Sequence, residues 1–116
     1  MRAELRNLTT IDGDDLSRYS PPNPNCFAIS VRILVGPSGG VGQESFDVVV
    51  CTAAWLGEYV RDNGILAGRH YLIVNNFDHG SLKSFIEKYI RRFDGESWDE
   101  VADKIGRLGR WEFEDY

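Results

Sequence analysis

The sequence lacks what would place it in a membrane, in an oxidising compartment or around a metal. Apolar runs such as Val48 to Val50 and Tyr71 to Val74 fall far below the ~20 residues that a spanning helix needs. The N-terminus, Met1-Arg2-Ala3-Glu4-Leu5-Arg6, is broken by charge before an apolar segment can form. A secretory signal is therefore not expected, and the cytoplasm is the default compartment. Cysteine is scarce: Cys26 and Cys51 are the only two, too few for a disulfide scaffold and without metal-ligand spacing. His70 and His79 have no matched Cys, Asp or Glu spacing, so neither a metal nor another cofactor is expected. No basic stripe interleaves with aromatics. The net charge of −5 opposes bulk binding to a phosphate backbone while leaving a basic protein partner open.

What is present describes one globular domain spanning residues 1–116. Hydrophobic residues at 42% and charged residues at 27% are ordinary globular usage, and the length suffices for one core. Ala3 to Thr10 alternates loosely and predicts a first strand. Asp12 to Asn25, with Pro21, Pro22 and Pro24, predicts a polar loop with room for one helical turn between Asp14 and Tyr19. The pattern sharpens from Cys26 to Val35, where Phe27, Ile29, Val31, Ile33 and Val35 share a face. It resumes from Glu44 to Thr52 with Phe46, Val48 and Val50. Between them, Gly36 to Gly42 has turn chemistry and no phosphate-binding signature, so a β-hairpin is predicted. Bringing the two apolar faces together requires paired residue numbers with an odd sum, and one such register sets Cys26 opposite Cys51.

Helices are predicted from period and caps. Thr52 is placed to cap a helix whose stripe is Trp55, Leu56, Tyr59 and Val60, packed on the sheet and ended by Asn63-Gly64. Gly68 to Phe77 predicts a central strand covered on both faces. Ser81 to Phe93 has the clearest helical period, through Leu82, Phe85, Ile86, Tyr89, Ile90 and Phe93. The basic residues near its end suit the helix macrodipole. Ser97-Trp98-Asp99-Glu100 is a capping box, with Glu100 expected to reach back to the Ser97 N–H, and Gly109 is expected just past the end of that helix. Trp111 to Tyr116 alternates aromatic and acidic residues as a closing strand would. The expected fold is α+β. It is a largely antiparallel sheet of four to five strands, with two to three helices packed mainly on one side.

The residues offer little catalytic chemistry. Cys51 lies among Val48, Val49 and Val50, where an inert buried thiol is expected in place of an activated thiolate. A small Cys/His hydrolase, using Cys51 with His70 or His79, and a general interaction or assembly module remain the alternative readings. Carboxylates cluster at Asp12, Asp14 and Asp15, at Glu96, Asp99, Glu100 and Asp103, and at Glu112, Glu114 and Asp115. If the last two groups adjoin in space, they form a negative patch suited to a basic protein.

Four stretches carry a resemblance. They are Glu44-Ser45-Phe46-Asp47 running into Val50-Cys51-Thr52 with Trp55-Leu56, then Gly68 to Val74, then Gly95 to Val101, then Trp111-Glu112-Phe113-Glu114-Asp115-Tyr116. In this order and spacing the chain resembles the Immunity protein 8 family of bacterial polymorphic toxin systems. Ala53 stands where the family often has proline, and alanine is equally compatible with a first helical turn. The resemblance implies a cytoplasmic, non-enzymatic antidote, made beside a toxin, that binds its cognate toxin domain stoichiometrically without contacting nucleic acid or membrane itself. It does not specify the toxin, and many partners of such families are nucleases. Within that frame, Asp99, Asp103, Glu112, Glu114 and Asp115 are the candidate toxin-binding residues. Phe46, Trp55, Trp98, Trp111 and Phe113 carry family motifs and are expected to serve the fold.

Both cysteines are expected as free thiols in a reducing cytosol. Intact mass measured with and without reductant should be the same, and a bridge found in the protein isolated from cells contradicts this.

Overall fold

The structure, a computed structural model, describes residues 1–113. Its order is β1 (Ala3–Thr10), a single 3-10 turn (Leu16–Arg18), β2 (Ala28–Pro37), β3 (Glu44–Thr52), α1 (Ala53–Asn63), β4 (Tyr71–Val74), α2 (His79–Arg91), α3 (Trp98–Ile105) and β5 (Arg110–Trp111). One sheet runs β1-β2-β3-β4, with β5 added to β3. Every pairing is antiparallel except β3 with β4. The far edge of β3 is divided: Phe46 and Asp47 pair with β5, while Val49 to Thr52 pair with β4. The α+β expectation is met.

The hairpin follows from the period-2 pattern. Ile29 lies opposite Val50, Val31 opposite Val48 and Ile33 opposite Phe46, which brings both apolar sets to one face. Val31, Ile33, Val35, Phe46, Val48 and Val50 are all buried there. The odd-sum rule holds, but the register places Cys51 opposite Ala28, so the two cysteines do not face each other. Both are free. Cys26 precedes the ladder, where its thiol donates to the Glu58 carboxylate at 3.5 Å.

At the other sheet edge, β1 is bulged between Leu5 and Asn7. The side chain of Arg6 there reaches the hairpin turn, donating to the carbonyls of Pro37 at 2.8 Å and Gly40 at 2.6 Å. Gly36 must stay bare, because a Cβ at that position would collide with the Arg6 guanidinium and the Gly42 carbonyl.

α2 and α3 close the apolar face. Leu82, Ile86 and Ile90 from α2, with Val101, Ala102 and Ile105 from α3, are buried against the strands. α2 starts two residues earlier than the period predicts, because Asp78 caps it by accepting from the Ser81 N–H at 3.2 Å. At α3, Ser97 accepts from the Glu100 N–H as expected, but the Glu100 carboxylate takes the N–H of Glu96 in place of that of Ser97. The helix ends at Gly106, and Gly109 has a different task. A Cβ on Gly109 would lie 3.1 Å from that of Phe46, so the bare backbone lets the chain pass close to β3.

Three expectations are corrected. α1 is capped by Thr52 and ended by Gly64 as its sequence predicts, but none of its residues is buried and Val60 is 39% exposed. Of its stripe, Trp55, Leu56 and Tyr59 are half-buried, and Trp55 stacks on Tyr59 of the same helix, ring centroids 5.2 Å apart. β4 is an edge strand of four residues and is not covered on both sides, so Ile73 is 53% exposed. The closing strand spans only Arg110 and Trp111, and the chain enters a turn at Glu112 and Phe113. The rest of the stretch expected to be strand, residues 114–116, lies outside the described residues.

The Thr52 hydroxyl accepts from the N–H groups of both Trp55, at 3.2 Å, and Phe27, at 3.1 Å. Thr52→Val keeps the shape and strands both donors, so urea denaturation should show a loss of about 2 kcal/mol. An unchanged midpoint means that neither bond matters.

Candidate functional site

The family-motif residues meet at one carboxylate. Glu44 opens β3, Trp98 opens α3 and Trp111 closes β5. Both indole Nε1–H groups donate to the same Glu44 oxygen, Oε2, each at 3.0 Å. A tryptophan at a half-buried position needs such an acceptor for its polar edge while its ring packs. Behind the carboxylate, Trp111 lies nearly parallel to the buried ring of Phe46, centroids 6.3 Å apart and planes 19° apart. Phe113 meets Trp111 edge-on at 5.6 Å and is 43% exposed. Trp111 thus anchors the chain on β3, and Phe113 carries the aromatic surface outward. Trp55, the remaining aromatic of the motif set, stands apart on α1.

Trp111 and Phe113 form one wall of an open concavity of about 780 Å³. Arg69, His70, Asp103 and Arg107 also line it. Arg107 reaches from there over the ring of Phe93, 5.6 Å from its centroid. His70 is held in the left-handed region at φ 62°, which costs a non-glycine residue on the order of 1 kcal/mol. Its Nε2–H donates to the Gly106 carbonyl at 2.7 Å, tying the start of β4 to the end of α3, and its own carbonyl accepts from the Val49 N–H. The sequence suggests only an ordinary strand-end histidine here. The enrichment of His in the left-handed region is the faint signal that points further.

The acidic candidates are distributed unevenly. Asp99 and Asp103 are exposed on α3, and of the two only Asp103 lines the concavity, among three cationic or imidazole side chains. Glu112 is exposed and does not line it. It turns instead to β3, its N–H donating to the Ser45 carbonyl and its carboxylate accepting from the Ser45 N–H at 3.4 Å. From there its charge reaches Arg32. Arg32 donates in a fork to both oxygens of Asp47, at 2.9 and 3.0 Å, and this pairing holds its pKa above the usual guanidinium value. Glu114 and Asp115 lie outside the described residues. Among the described carboxylates, Asp103 shares the concavity with Arg69 and Arg107, and Glu112 acts on Arg32.

Neither thiol is tuned for nucleophilic work. Burial pushes Cys51 up, and desolvation followed by the Glu58 carboxylate pushes Cys26 up; both shifts lead away from a thiolate. No group of three or more His, Cys, Asp or Glu side chains among the described residues is arranged to hold a metal. No helix among them is long and apolar enough to cross a membrane.

A family model described as Immunity protein 8 matches residues 3–116. No curated protein and no solved structure matches the chain.

The shared acceptor makes a direct prediction. Glu44→Ala leaves two indole N–H groups without their partner and should destabilise the fold by about 2–4 kcal/mol. Glu44→Gln, which keeps an amide oxygen in reach, should lose less than half as much. Guanidinium denaturation followed by tryptophan fluorescence separates the two, and equal losses contradict the shared-acceptor role.

Proposed function

Because this chain belongs to the Immunity protein 8 family, we propose that it is an antidote that binds and neutralises a cognate polymorphic toxin domain, one molecule on one. The observation that carries the reading is the extent of the family match, which takes in nearly every residue from β1 to the C-terminus. The architecture is consistent with a binder. Its motif-bearing residues serve the structure, in the sense that Glu44, Phe46, Trp98 and Trp111 spend their polar and aromatic groups on one another. Neither thiol is shifted toward the thiolate that a Cys/His hydrolase would use.

The toxin-facing groups we propose are the carboxylates Asp99, Asp103, Glu112, Glu114 and Asp115. On a chain of net charge −5 they suit a basic partner, since complementary charge speeds encounter and selects against wrong partners. A nuclease, whose cleft must attract phosphate, is the toxin type that this charge fits best. The antidote would act in the cytoplasm of the bacterium that makes the toxin.

Co-expression with the toxin encoded by the adjacent gene tests the reading. Cells should survive and the two proteins should co-purify, whereas loss of both protection and co-purification refutes it. Reversing charge at Glu112, Glu114 and Asp115 should lower toxin affinity by about tenfold at low salt and by much less near ~1 M salt, where screening is strong. Stability should change little. Affinity unaltered by the triple reversal would move the interface away from these carboxylates.

A further inference from the structure

The two outer edges of the sheet are treated very differently. The edge of β1 is closed: the strand is kinked by a bulge at Arg6, and its ends bridge to other segments, Arg2 to Asp94 and Thr9 to Asp15. The N-terminal ammonium adds a bond to the Gly95 carbonyl. These are the devices by which proteins keep a sheet edge from pairing with another chain. β4 is short, but among the described residues it has neither bulge nor bridge. Its four residues, Tyr71-Leu72-Ile73-Val74, carry no charge, bulge or proline, and among the described residues the strand pairs with β3 alone.

The register states which groups stay open. Val49 donates to the His70 carbonyl, and Val49 lies opposite Tyr71. In a parallel ladder the bonded residues then alternate, so Leu72 and Val74 bond to β3 while the N–H and C=O of Tyr71 and Ile73 point away from the sheet. Ile73 is 53% exposed. Ile65, in the connection that leads from α1 to β4, is 84% exposed.

We infer that the outer edge of β4 receives a short extended strand of the toxin, which continues the sheet by pairing with Tyr71 and Ile73. Alternating open N–H and C=O groups are complemented by another peptide backbone, and the apolar side chains between them select apolar residues on that strand. A second copy of this chain fits the edge less well, because each copy brings a net charge of −5. The inference rests on the toxin-binding reading and places part of that contact at the opposite end of β3 from Glu112.

Ile73→Pro removes an N–H that faces away from β3, leaving the β3–β4 ladder intact. Ile73→Lys adds the charge that natural edges use as a block. With the adjacent-gene toxin as probe, both variants should keep the wild-type circular dichroism and bind about tenfold or more weakly. In the unsubstituted protein, hydrogen exchange of the Tyr71 and Ile73 amides should slow at least about tenfold in the complex, while Leu72 and Val74 are already protected without toxin. Wild-type affinity in both variants with unchanged exchange at Tyr71 and Ile73 overturns the inference and leaves the toxin-binding reading standing. A toxin that fails to bind the wild-type protein overturns both. A homodimer that the toxin does not dissociate and that Ile73→Lys abolishes assigns the edge to a second copy and overturns the inference.

Discussion

A single carboxylate oxygen, Glu44 Oε2, takes an indole N–H from α3 and another from β5. Each of those elements is too short to hold its place by hydrogen bonding of its own. β5 contributes two residues to the sheet and α3 is an eight-residue helix. An isolated helix of that length is unstable in water. What fixes them is burial, of Val101, Ala102 and Ile105 under α3 and of Phe46 under Trp111, together with the shared acceptor that sets the angle at which both arrive. A charged acceptor makes each bond stronger than a neutral one would. The last quarter of the chain is organised by a residue near its middle.

That arrangement separates two questions about the C-terminal motif that look like one. Trp111 belongs to the fold, since its ring lies on Phe46 and its N–H is used. Phe113 and Glu112 are exposed beside it, Phe113 lining the concavity with Asp103 and Arg107 and Glu112 bonded to Ser45.

Much of the fold was legible because it is local. The hairpin follows from the alternation of Phe27 to Val35 and Phe46 to Val50, and the caps at Thr52 and Ser97 follow from residue type and spacing. The misreadings are tertiary. Tyr-Leu-Ile-Val reads as a strand buried on both faces, and nothing within four residues says that β3 is its sole partner among the described residues. The stripe on α1 reads as a packed face, and only the structure shows that Trp55, Leu56 and Tyr59 are half-buried and stand outside the core cluster. The convergence of Glu44, Trp98 and Trp111 spans 54 and 67 positions of sequence, so the motifs are visible in the chain while their contact is not. For the same reason the carboxylates count correctly as a surplus, yet the grouping of Asp103 with Arg69 and Arg107 and of Glu112 with Arg32 appears only in the structure.

The central claim is inhibition by occupancy, and titration of toxin activity tests it most directly. With toxin held well above the dissociation constant, residual activity should fall linearly as the immunity protein is added and reach zero at one equivalent. Loss of activity at a small fraction of an equivalent, increasing with time, would mean that the protein turns over its target and would contradict the account.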